Sequence, residues 1–384
     1  MNILVLNYEY PPLGGGAAPV CRDLAVGMAR EGHQVAVVTM GFPPLPAHEM
    51  CDGVEIFRLK CLRRKEHSCM PWEQFTYITA AKRFLKSHLK TRSYDVCHTH
   101  FIIPTGPVAR WVKRIYGIPY VLTAHGSDVE GYNEKKYIRA LHRILRPAWK
   151  QIVREADAVA APSGYLMKLM KDEMRWNRYI RIPNGLDIDR FRAERSEKKK
   201  RILLMGRMQE AKNFQTVLKS LSLIPKALWN GWCAEILGDG PYRPELEKLV
   251  KDLGIGDRTA FRGWVENGSA TQLEYLKQSA IYISASHFEN CPMAVLEAAA
   301  AGCRLLLSDI EGHRQFFGGA DDCFFPADDA EKLAQMLSPL LEKEPEALFS
   351  ERSLEDYRIG RVTDQYLKLL EASAENNSDS VQHL

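Results

Sequence analysis

The first twenty residues, "MNILVLNYEYPPLGGGAAPV" (Met1–Val20), join a short uncharged apolar run to three consecutive glycines, Gly14 to Gly16. The run Met1–Leu6 predicts a buried β-strand, and the pattern from Val20 to Glu31 predicts a helix. A strand followed by a bare turn and a helix is typical of a parallel sheet covered by helices. Glycines in such a turn allow backbone N–H groups to approach an anion or a sugar closely.

The same alternation of short apolar strand, turn and helix continues along the chain. Its fold class is therefore α/β, with doubly wound parallel sheets covered on both faces. The predicted strands are "QVAVVTM", "YDVCHTH", "PYVLTAH", "DAVAAPS" and "YIRIPNG" in the first half, and "ILLMG", "AEILGDG", "TAFRGW", "IYISAS" and "RLLLSD" in the second.

Two Rossmann-like domains are predicted, with boundaries at residues 1–185 and 186–355. The charged run "ERSEKKKR" (Glu194–Arg201) reads as the solvated end of a linker between them. A last helical pattern, at about 356–375, has Val362, Tyr366, Leu369 and Leu370 on one stripe. This helix can pack back on the first domain or on the second.

Composition limits the function classes. The 384 residues are 46% hydrophobic and 26% charged, as in ordinary globular proteins. The nine cysteines include no Cys-x-x-Cys pair, which argues against a disulfide framework or a thiolate zinc site. The start lacks the basic region of a secretory signal, and no run approaches the ~18 apolar residues of a membrane span. We expect a cytoplasmic protein that can associate peripherally with the inner face of the membrane.

Charge is divided unequally along the chain. Residues 1–185 carry 27 Lys and Arg against 16 Asp and Glu, whereas the remainder carries 25 against 32. Two basic segments, Arg58–Lys65 and Lys82–Arg92, contribute much of the excess. They are compatible either with a helix resting on anionic lipid or an anionic substrate, or with a solvated helix face. We expect no nucleic-acid partner, because the motifs of nucleic-acid-binding modules are absent.

The second half has cations where a strand ends. After "RILLM" come Gly206 and Arg207, and five residues later Lys212 precedes the helical pattern Asn213–Leu221. Ligands of parallel sheets bind at the carboxyl ends of strands. Two cations there suit a diphosphate, since each can meet a separate negative oxygen.

The segment "SHFENCPMAVLEAAAAGC" follows another strand, "IYISAS". Pro292 stands where a helix takes its first residue and Gly302 where a left-handed residue ends it. Free N–H groups of Met293, Ala294 and Val295 would then form an anion site. Glu289 and Glu297 lie eight positions apart beside it, and sugar hydroxyls are suitable partners for such carboxylates.

In this order, the motifs resemble those of the retaining glycosyltransferase family 4, over nearly the whole chain. The segments that carry the resemblance are the glycine loop, "HGSD" (125–128), "IPNGLD" (182–187), "GR" with Lys212 and Asn213, "LGDGP" (237–241), "FRGWV" (261–265), and the two glutamates before "AAAAG". The resemblance implies the GT-B fold, in which two Rossmann-like domains face a central cleft.

The resemblance also implies roles. Arg207 and Lys212 would hold the diphosphate, Glu289 the hydroxyls of the donor sugar and Glu297 those of the ribose, while His125 would lie against the sugar. The backbone of Gly15 and Gly16 would approach the diphosphate. The donor-binding segment would comprise residues Asn290, Cys291, Pro292, Met293, Ala294 and Val295. Many members have glycine where this chain has Asn290, so the donor sugar is left open.

The implied reaction is hexose transfer by front-face displacement, without cofactor or metal, from a nucleotide-diphosphate sugar. A UDP-sugar such as UDP-glucose is favoured and GDP-mannose comes next. The acceptor would be a saccharide or a lipid-linked molecule of glycan or exopolysaccharide biosynthesis. A nucleotide-sugar sensor without turnover and a sugar-nucleotide epimerase remain as alternatives. His98 and His100 have a metal-like spacing, but without a third ligand a structural or acceptor-side role is favoured.

Overall fold

The computed structural model describes residues 1–66, 68–132, 136–192, 198–319, 321–343 and 354–381. It divides the chain into two compact units. Unit 1 comprises Met1–Gly185 together with Ile359–Leu384, and unit 2 comprises Leu186–Arg358. Unit 2 is thus inserted between the two parts of unit 1.

Unit 1 is built on an eight-stranded sheet, counted over the described residues, in the order β3-β4-β2-β1-β5-β6-β7-β8. All neighbours are parallel except β3 and β4. The order reverses between β1 and β5. The strands are β1 Asn2–Leu6, β2 Gln34–Met40, β3 His48–Cys51, β4 Val54–Leu59, β5 Val96–His100, β6 Tyr120–Thr123, β7 Ala158–Ala161 and β8 Tyr179–Arg181.

Helices cover both faces of this sheet. One face packs against α1 and α13, whose residues Val362, Tyr366 and Leu370 are buried with the β1 residues Ile3 and Val5. The other face packs against α2, α3, α4 and α5. The helices of unit 1 are α1 Ala17–Arg30, α2 Pro71–His88, α3 Gly106–Tyr116, α4 Lys136–Glu155, α5 Gly164–Glu173 and α13 Ile359–Val381.

Unit 2 has a six-stranded sheet over the described residues, in the order β11-β10-β9-β12-β13-β14, reversing between β9 and β12. The strands are β9 Lys199–Met205, β10 Cys233–Leu237, β11 Thr259–Gly263, β12 Ser279–Ser284, β13 Arg304–Ser308 and β14 Phe324–Phe325. The helices are α6 Ile188–Phe191, α7 Phe214–Leu223, α8 Arg243–Asp252, α9 Ala270–Gln278, α10 Met293–Ala300, α11 Glu311–Phe317 and α12 Ala330–Glu342. Short 3-10 segments span Glu210–Lys212, Lys226–Trp229, Asp321–Cys323 and Glu355–Tyr357.

The predicted α/β class with two parallel sheets is confirmed, but the lysine run was interpreted wrongly. Strand β9 begins at Lys199, and the Lys198 ammonium donates hydrogen bonds to the carbonyl oxygens of Ser279 (2.8 Å) and Ala301 (2.6 Å). A solvated linker end would leave these donors in water, whereas here they satisfy buried carbonyls. Residues 194–197 of the run lie outside the described residues.

Candidate functional site

The functional residues predicted in unit 2 gather at one edge of its sheet. Strand β9 is followed by Gly206 and Arg207, and the neighbouring strand β12 is followed by the segment that contains Glu289. The strand order reverses between these two strands. At such a reversal the flanking loops diverge and leave a crevice at the carboxyl ends of the strands, the usual ligand position in this fold class.

The Lys212 ammonium donates a hydrogen bond to Oε1 of Glu289 at 2.6 Å. The Ser286 hydroxyl donates to the same oxygen at 2.7 Å. Burial by itself would raise the pKa of the Glu289 carboxyl, but the Lys212 ammonium and the His313 ring bring it below its ordinary value. Glu289 is therefore a carboxylate at neutral pH, an acceptor for hydroxyl groups.

The backbone around Glu289 is held by its neighbours. A Cβ at Gly312 would overlap the carbonyl oxygen of Glu289, so only glycine permits helix α11 to approach this loop. The Ser308 hydroxyl donates to the carbonyl oxygen of Ser286 at 2.6 Å. Both contacts fix the loop in place. Neither Gly312 nor Ser308 was identified from the sequence, since each acts through a backbone atom far along the chain.

Arg207 differs from Lys212 in its surroundings. Its side chain is exposed, and among the described residues its guanidinium has no hydrogen bond or ion pair. Lys212 lies close to it along the loop, because its Cε is 4.0 Å from the place where a Cβ of Gly206 would stand. The strand end thus offers one paired cation and one unpaired cation to an anionic ligand.

Glu297 is 5% exposed and lies on the short helix α10, which is buried from Val295 to Ala300. Its Oε2 accepts a hydrogen bond from the Gln272 amide at 3.1 Å. Gln272 is itself 5% exposed and lies in the first turn of α9, where its backbone N–H donates to the Ser269 hydroxyl. Sequence reasoning missed Gln272, since an amide on a helix carries no distinguishing pattern.

The start of helix α10 corrects a prediction. Pro292 is the N-cap and the helix begins at Met293, one residue later than predicted. The N–H of Met293 donates to the carbonyl of Cys291, and that of Val295 to the carbonyl of Pro292, both at 2.9 Å. Of the three N–H groups that were expected to be free, those of Met293 and Val295 are therefore engaged in a tight turn. The third is that of Ala294.

Residues before α10 are partly enclosed. Asn290 is 7% exposed, and its carbonyl oxygen accepts a hydrogen bond from the Gln315 amide at 3.0 Å. Cys291 is half-buried. Asn290 therefore lies directly after Glu289, the carboxylate that is paired with Lys212, in a loop that is fixed at both ends.

The "LGDGP" segment contacts the Arg207 loop through its backbone. Added Cβ atoms would overlap the carbonyl oxygen of Gly206 at Gly238 and that of Met208 at Gly240. The backbone N–H of Met208 donates to the carbonyl of Asp239 at 2.9 Å. These glycines thus allow the loops after β9 and β10 to lie in direct contact, which holds Arg207 at the strand end.

In unit 1, the glycine loop joins β1 to α1. Gly14 has φ +106° and rests against the side chain of Glu9, whose carboxylate accepts a hydrogen bond from the Gly15 N–H at 3.2 Å. At Gly15 and Gly16 an added Cβ would meet nothing within 4 Å. The loop therefore presents bare backbone to open space immediately before helix α1, and the Gly15 N–H is already oriented toward a carboxylate.

His125 follows strand β6, and its Nε2 lies 3.0 Å from Nδ1 of His100 at the end of β5. The two rings are stacked with centroids 5.2 Å apart. Asp128 fixes the loop by accepting hydrogen bonds from the N–H groups of Ile102 (2.7 Å) and Gly126 (2.9 Å). His125, like the glycine loop, thus follows a strand next to the reversal between β1 and β5.

His98, His100 and His125 are held neutral. Burial lowers the pKa of His98 and of His125 to about 3, and it lowers that of His100 as well. His98 bonds the Thr123 hydroxyl at 2.8 Å, and Thr123 in turn bonds the Tyr366 hydroxyl of α13 at 3.1 Å. The described residues include no group of three His, Cys, Asp or Glu side chains placed to hold a metal ion. His98 and His100 contact side chains of their own unit.

Comparison with known proteins gives two family models that together span residues 14–353. One, described as glycosyltransferase family 4, matches residues 14–190. The other, described as glycosyl transferases group 1, matches residues 187–353. Their junction coincides with the passage from unit 1 to unit 2.

Curated proteins are similar to this chain over most of its length. An uncharacterized glycosyltransferase of Methanocaldococcus jannaschii is 26% identical over 335 residues, which cover 81% of each chain. The alpha-monoglucosyldiacylglycerol synthase of Streptococcus pneumoniae is 26% identical over 325 residues, 79% of this chain and 70% of that protein.

Solved structures share the fold. Sucrose-phosphate synthase of Thermosynechococcus elongatus superimposes with a TM-score of 0.74 at 19% identity, covering 100% of this chain and 98% of that one. HepE of Anabaena, solved in complex with UDP, has a TM-score of 0.72 at 15% identity over 97% of this chain and 100% of that one. Within the described residues, no helix is both long and apolar enough to span a lipid bilayer.

Proposed function

Because the chain belongs to the group 1 glycosyltransferases of family 4, we propose that it transfers a hexose from a nucleotide-diphosphate sugar to a saccharide or lipid-linked acceptor. The observation that carries this proposal is the Lys212–Glu289 pair at 2.6 Å beside the unpaired Arg207 and the buried Glu297. The cations suit the diphosphate and the carboxylates suit hydroxyl groups. One strand end thus matches both parts of a nucleotide sugar.

The proposed reaction retains the configuration of the sugar and needs no metal. Arg207 and Lys212 place two positive charges where negative charge develops on the departing diphosphate, which lowers the barrier electrostatically. Glu289 accepts hydrogen bonds from the sugar and Glu297 from the ribose. In unit 1, His125 is neutral, so its ring can exchange a hydrogen bond with a hydroxyl group without carrying a charge.

A UDP-sugar, with UDP-glucose first and GDP-mannose next, is our proposed donor. Support for UDP comes from HepE, which adopts the same fold and was solved with that nucleotide. The word diacylglycerol in the name of the Streptococcus relative is compatible with our proposal of a lipid-linked acceptor. We propose the cytoplasm, at the inner face of the membrane, as the place of action, in polysaccharide or glycolipid biosynthesis.

Thermal unfolding in the presence of UDP, GDP, ADP, CDP and TDP tests the donor site. A nucleotide at about a hundred times its dissociation constant stabilises the protein by ~2.7 kcal/mol, which raises Tm by a few degrees. We expect UDP to give the largest rise, unchanged by EDTA. No rise with any of the five would contradict the site.

Turnover separates an enzyme from the alternatives. Incubation of UDP-glucose with a panel of acceptors should release UDP only when an acceptor is present, and NMR of the product should show the anomeric configuration of the donor. A sensor would bind UDP-glucose without releasing UDP. An epimerase would convert the nucleotide sugar without any acceptor, so each alternative has a distinct outcome.

A further inference from the structure

The first three turns of helix α4 expose apolar side chains that none of the described residues of unit 1 covers. Ile144 is 75% exposed and Tyr137 is 56% exposed, and both rank among the large exposed hydrophobic residues of the chain. Ala140 and Ala148 are exposed too and continue the spacing of three to four residues, so these side chains form one stripe. The buried anchors of α4, Trp149, Ile152 and Val153, all lie in its last two turns.

Cations flank this stripe along the same helix. Lys136, Arg139 and Arg143 recur at the same helical spacing on the adjoining side, and all three are exposed. None of them forms an ion pair within the part of the chain that the structure describes. Arg146 and Lys150, by contrast, are paired with Glu173 of α5. The exposed half of α4 therefore combines free cations with a free apolar stripe.

The rest of this helix layer is also basic. Helices α2 to α5 together contain fourteen Lys and Arg against four Asp and Glu, whereas α1 and α13 on the opposite face contain four against five. The basic excess of the first half is thus concentrated on one side of the sheet. Two cations of the basic segment Arg58–Lys65 do not contribute to this surface charge. Arg63 is buried and donates hydrogen bonds to the carbonyl oxygens of Lys65 and Glu66. Arg58 is buried and forms an ion pair with Glu49 at 2.6 Å.

We propose that the exposed half of α4 docks on an anionic lipid surface, with Tyr137 and Ile144 entering the interface and Arg139 and Arg143 meeting lipid phosphates. Helices that lie in the plane of a membrane combine an apolar stripe with flanking cations in this way. An acidic protein or a nucleic acid would satisfy the cations, but a phosphate backbone gives Ile144 no apolar partner. An anionic bilayer satisfies both sets of side chains.

The test is co-sedimentation of the full chain with vesicles of phosphatidylcholine alone or mixed with phosphatidylglycerol. The variant R139Q/R143Q should lower the partition coefficient on mixed vesicles about tenfold or more, since each basic residue near an anionic surface contributes roughly fivefold. The matched control is R30Q/K368Q, which removes two exposed cations from α1 and α13 on the opposite face. This control should bind as the wild type does.

Ile144→Ser separates a lipid surface from other anionic partners. It should weaken binding to mixed vesicles at low and at high salt, because an apolar contact is not screened, whereas the loss in R139Q/R143Q should shrink as salt rises. Equal binding by wild type and R139Q/R143Q would overturn the proposal. A second outcome would also overturn it: the wild type binds no vesicles but binds double-stranded DNA, and I144S binds that DNA equally well.

The docking proposal is independent of catalysis, since the vesicle assay contains no nucleotide sugar. If no sugar transfer is measured but the protein binds mixed vesicles as expected, the proposal that α4 docks on a lipid surface is still supported. If both hold, R139Q/R143Q should slow transfer to an acceptor embedded in mixed vesicles but leave transfer to a water-soluble acceptor unchanged. All the substituted side chains are exposed, so the variants should keep the Tm of the wild type.

Discussion

Replacement of Lys212 by alanine should lower the rate of sugar transfer about a hundredfold to a thousandfold, the usual effect of removing one electrostatic contact to a developing charge. The change removes one of two cations at the strand end. It also leaves Glu289, which is paired with Lys212 at 2.6 Å, without its cation. Burial would then raise the pKa of Glu289, and a protonated carboxyl is a weaker acceptor for a sugar hydroxyl.

The measurement is UDP release from UDP-glucose with a working acceptor, over a range of donor concentrations. Lys219→Ala is the matched control, because Lys219 is an exposed lysine on the neighbouring helix α7. Lys212→Arg keeps the charge and should retain more activity than Lys212→Ala. A rate for Lys212→Ala within about threefold of the wild type would mean that this pair does not serve the reaction.

Below about pH 6.5, the stability of the protein should fall, and the buried His98 and His100 should contribute to this fall together with His125. Burial lowers the pKa of His98 to about 3 and lowers that of His100 as well. The unfolded chain therefore takes up protons first as the pH falls, and stability present above about pH 6.5 is lost progressively toward pH 3. Each histidine should cost about 1 kcal/mol of unfolding free energy between about pH 6.5 and 5.5.

Urea unfolding of the wild type and of H98Q/H100N at several pH values measures this effect. Glutamine and asparagine keep hydrogen-bonding groups at these positions but do not titrate in this range. The double variant should therefore have a shallower pH dependence, whatever its absolute stability. Equal slopes for the wild type and the double variant would show that the two rings are not held neutral.

Most of the strands could be located along the chain because each buried strand of a parallel sheet is a continuous apolar run. The hairpin of β3 and β4 was not predicted. Its first strand, "HEMC", lies at the edge of the sheet with mostly exposed side chains, so no hydrophobic pattern marks it. An edge strand is recognised by its pairing partner, which is a tertiary property.

Among the site residues, too, some could be predicted from the sequence and others could not. Arg207, Lys212 and Glu289 follow strands and could be found from that position. The contact between His100 and His125 could not be found from the sequence, because the two residues are twenty-five positions apart. They come close through the parallel pairing of His100 in β5 with Thr123 in β6. The burial of Arg58 and Arg63 was hidden for the same reason, since a count of charges does not tell which carbonyl groups a guanidinium meets.

The division of unit 1 into two stretches of chain has a consequence for its synthesis. A ribosome makes the whole of unit 2 before it makes α13, whose Val362, Tyr366 and Leu370 cover one face of the first sheet. Unit 2 can fold as soon as it leaves the exit tunnel, but in the nascent unit 1 the part of this face that α13 covers stays in water until residues 359–381 have emerged. A stalled or prematurely terminated chain would expose that face, which makes it a target for chaperones and proteases.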